Sequence, residues 1–352
     1  MSDKLDAQHV DAQPVNAQPA KPQGFLGKVL AHFKRWWWVH LIIFAASVLI
    51  VSLPLVYIGY PRIAQDAVNR STLNITRMAF SEPTPNTIRV NQTQVLGNKA
   101  IYHPKIFEFN ATITLVGSSA PLAVVVVPQS QAEDGAVIHF DTVLNLQDIN
   151  AVTNFSRAVL SSEEFQLNVF GRPQLQEGPL PKTTVTFNKT ITMKVMLTSW
   201  GKGMGGLKGF ELQNMMISLT PAADGTNMNG TVFIPNPSVV SVELGNVTLN
   251  VYVNDTLIGN TFINNVTLMP GDNHLPLRSS INQTQVLSFV TGTAPPYPGG
   301  ILPIIIRGNS SVYGGVEIPY FSKALQSNPL TTQLNITDVL IQSGLGAVAG
   351  VL

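Results

Sequence analysis

Cysteine is absent from the 352 residues. That removes thiol nucleophiles, redox pairs and cysteine metal sites, and it denies the fold the disulfides that commonly brace exported domains. Charge is also sparse. Asp, Glu, Lys and Arg make up 12% of the chain, about half the fraction usual in soluble domains. A formal net charge of +1 leaves no basic excess for a nucleic-acid partner. A body with neither disulfides nor many charges must rest on a packed core, and the roughly 290 residues after the apolar run described next are enough for two domains. Its solubility then rests on Asn, Thr and Ser and on any sugars attached to them.

One apolar stretch, Trp36 to Tyr60, interrupts this pattern. Its core, Trp38 to Tyr57, is 20 residues without Asp, Glu, Lys or Arg. At about 1.5 Å per residue it covers the roughly 30 Å hydrocarbon thickness of a bilayer. Trp36, Trp37 and Trp38 at one end and Tyr57 and Tyr60 at the other sit where interfacial aromatic belts sit. Pro54 falls in the last turn, where a kink is tolerated. The run is longer than the 7–15-residue core of a cleaved signal peptide, so the expectation is one permanent transmembrane helix.

Orientation follows from what flanks it. Lys21, Lys28, Lys34 and Arg35 precede the span and Arg62, Arg70 and Arg77 follow it, a bias that leans only slightly towards an inside N-terminus. The Asn-x-Ser/Thr sequons are one-sided: Asn69, Asn74, Asn91, Asn110, Asn154, Asn188, Asn229, Asn246, Asn254, Asn265, Asn282, Asn309 and Asn335 all follow the span. Thirteen matches on one side point to a segment exposed to the glycosylation machinery, with Asn69 and Asn74, closest to the bilayer, the weakest acceptors. The expected glycosylation sites are Asn91, Asn110, Asn154, Asn188, Asn229, Asn246, Asn254, Asn265, Asn282, Asn309 and Asn335. The N-terminus is then cytosolic and the body lumenal.

Strand phase tests those asparagines, because successive side chains of a strand point to opposite faces. Asn110 is out of phase with Phe107, Phe109, Ile113 and Leu115. Asn188 is out of phase with Phe187, Ile191, Met193 and Val195. Asn246 and Asn254 oppose Val247, Leu249, Val251 and Val253. Asn265 opposes Phe262, Val266 and Leu268, and Asn335 opposes Leu334 and Ile336. The acceptors are expected on the wet faces of strands.

Residues 1–35, rich in Gln, Ala and Pro with a repeated Ala-Gln-Pro, read as a disordered cytosolic tail. Within it, Gly24 to Arg35 mixes Phe25, Leu26, Val29, Leu30 and Phe33 with Lys28, Lys34 and Arg35, which also fits a short interfacial helix.

Beyond the span the chain repeats itself. Met78 to Pro83 resembles Met216 to Pro221, and Leu167 to Gly171 resembles Ile304 to Gly308, at offsets of 138 and 137. A third echo, Phe187 to Thr190 against Leu334 to Thr337, comes at 147 and needs an insertion. These spacings point to a duplicated unit. Period-two runs such as Val185 to Leu197 and Val247 to Val253 are strand signals. Leu146, Ile149, Val152, Phe155 and Val159 recur at helical spacing. The fold class expected is mainly β: two tandem immunoglobulin-like antiparallel β-sandwiches, each with at most a short helix, after one transmembrane helix. The divisions expected are a tail over 1–35, the span over 36–60, a first β-domain over 61–208 and a second over 209–352.

Asn236-Pro237-Ser238, the alternation Val242, Leu244, Val247, Leu249, Val251, the turn Asn254-Asp255 leading to Leu257-Ile258-Gly259, and Leu268-Met269-Pro270-Gly271 together resemble a late-embryogenesis-abundant type 2 domain. That family has an Asn-Pro opening, alternating strands, and a Pro-Gly before its closing strand; Asn254-Asp255 stands where it usually has Asn-Gly. The layout of tail, span and paired sandwiches also resembles a fungal family of single-pass membrane proteins with a domain of unknown function, which includes a vacuolar-membrane protein implicated in ending autophagy. The resemblance implies a vacuolar membrane, with another secretory-pathway membrane or the plasma membrane as the alternative. It brings no catalytic residues.

Chemistry-bearing patterns are few. Gly201 to Gly206 matches G-x-G-x-x-G, but the sequence after it reads as a strand, not as the helix a phosphate site needs. His103, His139 and His274 have no partner at metal-ligand spacing. Glu163 and Glu164 are adjacent, hence on opposite faces of a strand, and no Gly-x-Ser-x-Gly elbow is present. No catalytic, cofactor-binding or metal residues are expected, and the protein is not expected to be an enzyme. Two readings remain. One is a membrane-anchored lumenal interaction or sensing protein with an unknown protein partner, linked through the resemblance to autophagy regulation. The other is a lipid-handling domain beside the membrane, motivated by Leu122 to Val127 and Ile301 to Ile306, which are apolar on both faces.

Overall fold

The computed structural model describes residues 25–118, 120–162, 164–194 and 210–349. Expectations for residues 1–24 and for the Gly201 to Gly206 motif, and the junction expected at 208/209, fall outside them. The chain divides into two compact units, Met1–Gly59 and Tyr60–Leu352.

The first unit is helical where described. Helix α1 (Phe25–Pro54) is followed by a π-helical turn, Leu55–Gly59. Pro54 accounts for the change: it has no N–H for the Ile50 carbonyl and its ring clashes with that oxygen, so the ladder is re-spaced. The stretch Phe25 to Arg35, expected as part of a disordered tail, is helical. Leu26, Val29, Leu30 and Phe33 recur at helical spacing, and Trp36, with φ −116° and ψ 21°, breaks the geometry where this segment meets the apolar run. Among the described residues one helical run, His32–Arg70, is apolar enough to cross a membrane, and none of its apolar window is buried. Leu41, Ile42, Ile43, Phe44, Ile50 and Val51 are all more than half exposed, a surface that water does not tolerate but lipid does.

The second unit opens with α2 (Tyr60–Arg70) and is mainly β, built of sandwich-like sheets. Its first half carries β1 (Thr72–Ser81), β2 (Thr87–Gly97), β3 (Lys105–Ile106), β4 (Phe109–Leu115), β5 (Pro121–Val127), β6 (Ser130–Gln131), β7 (Ala136–Asn145), α3 (Ile149–Ser161), β8 (Glu164–Gly171), β9 (Gln174–Gln176), β10 (Thr183–Thr184) and β11 (Phe187–Lys194). The second half carries β12 (Glu211–Ile217), β13 (Met228–Asn236), β14 (Val240–Val253), β15 (Thr256–Leu268), β16 (Gly271–Ile281), α4 (Gln283–Val290), β17 (Ile301–Tyr313), β18 (Val316–Glu317), α5 (Pro319–Gln326), β19 (Leu330–Asn335), α6 (Ile336–Gln342) and α7 (Gly346–Ala349). The helix expected from Leu146 to Val159 is α3. Asp148 starts it, its side chain accepting from the Asn150 and Ala151 amides, as an N-cap should.

Among the described residues the largest sheet has the order β12-β13-β16-β15-β14-β1-β2-β7, with β17 branching from β14 to β18 and β19. Two four-stranded sheets, β10-β9-β3-β6 and β11-β8-β4-β5, complete the first half. The halves meet through a parallel pairing of β1 with β14. They also share a core in which Phe80, Phe155 and Phe165 pack edge to face beside Val242, Tyr320 and Phe321. In the second echo, Leu167 and Ile304 are both buried, as are Gly171 and Gly308. The third echo is out of step with the pairing. Leu167 faces Ile191 and Ile304 faces Thr332, so Thr332 takes the place of Ile191 at an offset of 141, not 147.

Two local features set the second half. Between β13 and β14, Asn236 is 1% exposed; its Nδ2 donates to the Val240 carbonyl while its Oδ1 accepts from the Ser238 amide and hydroxyl. This closed network is what the Asn-Pro-Ser segment builds. In β15 a bulge resets the phase: Gly245 pairs with Val266 but Val247 with Ile263, so β15 has one extra residue. Asn265 sits there at φ 51°, and its amide donates to Asn246 Oδ1 at 2.9 Å. The expectation that Phe262 shares the core face of Val266 and Leu268 is corrected by that bulge. Ile263 is buried and Phe262 only half-buried.

Candidate binding cavity

The inward faces of β12 to β17 do not close on each other. Leu212 and Met215, Val232, Val247 and Val251, Ile258 and Ile263, Leu277, and Leu302, Ile304 and Ile306 surround a cavity of about 200 Å³. Alternation puts these side chains there, because each strand sends every second residue inward. Leu302, Ile304 and Ile306 are buried on the cavity side, whereas Ile301 is exposed and Ile305 half-buried on the other. Strand β5 differs: Leu122, Ala123 and Val125 are buried but Val124 and Val126 are exposed, since β5 is a sheet edge.

Helices close the cavity. Val286 and Leu287 of α4, Ala324 and Leu325 of α5, and Ile336, Val339 and Leu340 of α6 line it too, with Leu330 and Leu334 of β19 and Leu160 of α3. Strand β12 is fastened to them by two polar contacts, the Ile217 amide donating to Ser343 Oγ at 2.8 Å and Gln283 Nε2 donating to the Ser218 carbonyl at 2.6 Å. Leu219, on the same rim, is 68% exposed. Among the described residues the lining contains no Asp, Glu, Lys, Arg or His. Its inward hydroxyls, Thr261 and Ser279, bond to each other at 2.8 Å. Gln283 and Asn328 are the other polar residues of the lining, and the rest of it is apolar. It can hold hydrocarbon.

The ion pairs lie elsewhere, on the outer surface. Arg89 bridges Asp141 and Glu82, and its hydrogen bond holds the Asp141 carboxyl below the usual range. His103 Nδ1 lies 3.2 Å from the Ala132 carbonyl, His139 Nδ1 is 3.1 Å from Thr93 Oγ1, and His274 packs on Phe233. Among the described residues no three His, Asp or Glu side chains gather as a metal site would require. Glu163 lies outside the described residues.

The sequon asparagines are spread over the surface. Asn110, Asn188, Asn229, Asn246, Asn265 and Asn309 are exposed in strands, Asn154 is exposed on α3, and Asn254 is exposed in the β14–β15 turn with φ 55°. Asn282 is exposed and Asn335 half-buried, and these two cap α4 and α6. Asn91 is half-buried on the outer face of β2. Asn154 and Asn282 thus sit on a helix and a helix cap and Asn335 at a strand end that caps a helix, a distinction period-two phase does not make. The cavity itself is not written in local sequence pattern, because its walls come from eleven elements distant in the chain.

A comparison with curated proteins gives no match. Among solved structures, a crystal structure of a protein from Archaeoglobus fulgidus is 11% identical and covers 36% of this chain and 97% of its own, with a TM-score of 0.23. A solution structure from Arabidopsis thaliana is 10% identical over 35% of this chain and 80% of its own, with a TM-score of 0.25. The sporulation control protein Spo0M from Bacillus subtilis is 9% identical over 80% of this chain and 95% of its own, with a TM-score of 0.19. The protein family of unknown function DUF3712 matches residues 120–251. The chain therefore carries a DUF3712 domain, running from β5 through most of β14.

Proposed function

We propose that this is a single-pass membrane protein whose β-rich body acts by binding, not by catalysis, and takes up the acyl chain of a lipid in the cavity of its second half. The observation that carries the reading is the charge-free cavity of about 200 Å³. An apolar space of this size gains more contact from hydrocarbon than from water, because its lining offers water few polar partners. A cavity larger than the roughly 150 Å³ that admits benzene and walled by aliphatic side chains is best stabilised by hydrocarbon. The sensing role and the lipid role then become one event, with occupancy of the cavity as the signal.

We propose further that the body is lumenal and glycosylated at the exposed sequons, in a vacuolar membrane, following the resemblance set out above. Digestion with an endoglycosidase then gives a large gel shift, and sealed microsomes protect the body from added protease. Full-length protein purified from membranes is expected to carry lipid recoverable by mass spectrometry. Val247→Phe, which fills the cavity, is expected to remove it while leaving the circular dichroism spectrum unchanged. Lipid retained by that variant, or none in the wild type, would overturn the reading.

A further inference from the structure

A second cavity, of about 110 Å³, lies in the first half of the body. Most of its wall is apolar, with Leu73, Met78, Ile113, Phe140 and Leu167 among its residues. Strand β2 breaks the pattern. Its burial alternates without interruption, which puts Ile88, Val90, Gln92, Gln94 and Leu96 on the inward face. Both glutamines are 6% exposed and both line the cavity.

Gln92 Nε2 donates to Gln94 Oε1 at 2.9 Å. One bond does not exhaust two amides: a donor remains on Gln94 and acceptor capacity on Gln92. Ser130 lines the same cavity, and its hydroxyl oxygen is buried without a hydrogen-bond partner among the described residues. Buried polar groups are almost always paired, because leaving one unpaired forfeits its hydration. Among the described residues no Asp, Glu, Lys, Arg or His lines the cavity, so a charged group there would lose its hydration without a counter-ion.

The remaining wall is α2, through Ala64, Ala67 and Val68. It is held in place. Gln65 bonds both ways with the Thr186 backbone, the Tyr60 hydroxyl accepts from the Glu177 amide, and Lys189 Nζ donates to the Asn69 and Ser71 carbonyls at the helix end. Small side chains on a fixed helix keep the space open.

We propose that this cavity is a second, separate binding site, selective for an apolar molecule bearing one uncharged group that both donates and accepts a hydrogen bond, of which a hydroxyl is the simplest. The Gln92–Gln94 pair recognises the polar group and the apolar wall takes the carbon skeleton. At about 110 Å³ the space is smaller than the roughly 150 Å³ that takes benzene, so it holds the polar group and the first carbons of a slim chain whose remainder lies in the open mouth of the cavity. The site stands independently of acyl-chain binding in the other cavity.

The test uses the full chain in phosphatidylcholine nanodiscs with 13C-labelled methionine methyl groups, titrated with 1-hexanol and, separately, n-hexane. Met78 lines the site and reports occupancy. Its signal is expected to respond to hexanol at concentrations about five- to tenfold below those needed for hexane, the ratio one net neutral hydrogen bond supplies. Gln94→Leu brings that ratio close to one, and the milder Ser130→Ala lowers it. Ala64→Leu, filling the space from α2, abolishes both responses. Val247→Phe, which blocks only the other cavity, leaves the ratio unchanged, so loss of the acyl site and loss of this one are read separately. Equal responses to hexanol and hexane in the wild type, or a response that survives Ala64→Leu, would overturn the proposal.

Discussion

Met78 and Val240 face each other across the parallel pairing of β1 with β14. The Met78 amide donates to the Val239 carbonyl at 3.1 Å, and Phe80 continues the register opposite Val242. Residues from both halves of the body thus belong to one sheet and one core. Urea denaturation of the body is expected to follow a single transition, coincident by tryptophan-independent far-ultraviolet and near-ultraviolet circular dichroism. Val242→Ala, at a site 2% exposed, lowers the midpoint of that one transition and costs about 1–3 kcal/mol. Two separated transitions, only one of them shifted, would contradict it.

Asn236 holds the β13–β14 connection through three bonds that its neighbours cannot replace. Asn236→Ala leaves the Val240 carbonyl and Ser238 amide without these partners in a buried turn, at about 2–3 kcal/mol. Chemical denaturation measures the loss. A cost near zero would mean that water enters the turn.

Tyr320 is 1% exposed and its hydroxyl has no partner among the described residues. Burial pushes its phenol above the ordinary value near 10. Below that value both folded and unfolded chains hold the neutral phenol, so its contribution to stability is fully present. As pH rises past about 10 the unfolded chain releases the proton and the folded chain retains it, so stability falls until the folded group titrates. Tyr320→Phe is expected to raise stability at pH 7 by about 1 kcal/mol, because an unpaired polar atom is removed, and to abolish this part of the alkaline loss. Unfolding at about pH 7 and about pH 11 tests both statements.

Asn282 and Asn335 are sequon residues with a second duty, accepting from the Gln285 and Asp338 amides as helix caps. In enzymatically deglycosylated protein, Asn282→Gln and Asn335→Gln each cost about 1 kcal/mol. Asn110→Gln and Asn229→Gln, on exposed strand positions, stay within about 0.5 kcal/mol. Thermal unfolding separates the two groups, and equal effects at all four positions would remove the capping role.

Local pattern carried a good part of the fold. The recurrence of Ile149, Val152, Phe155 and Val159 at helical spacing was enough to place α3, and the opposition of Asn246 to Val247 and Val251 put that asparagine outward. Where period two failed, a backbone event intervened. The extra residue at Asn265 turned Phe262 away from the core face, and nothing in the side chains of Asn264-Asn265 distinguishes a bulge from a continuing strand. Gln92 and Gln94 are a subtler case: they are polar, yet they are in phase with Ile88, Val90 and Leu96, and the alternation of β2 carries them inward.

Amino-acid order alone settled those properties that depend on neighbours in the chain: one apolar helix of membrane length, β-strands after it, and asparagines out of phase with the core. The steric period of a strand or helix repeats every two or 3.6 residues, so it is written locally. The joining of β1 to β14 and the hollow between β12 to β17 and α4 to α6 are another matter. They depend on how far faces from distant segments approach before side-chain volumes fill the gap, and that volume balance exists only once the sheets and helices have packed.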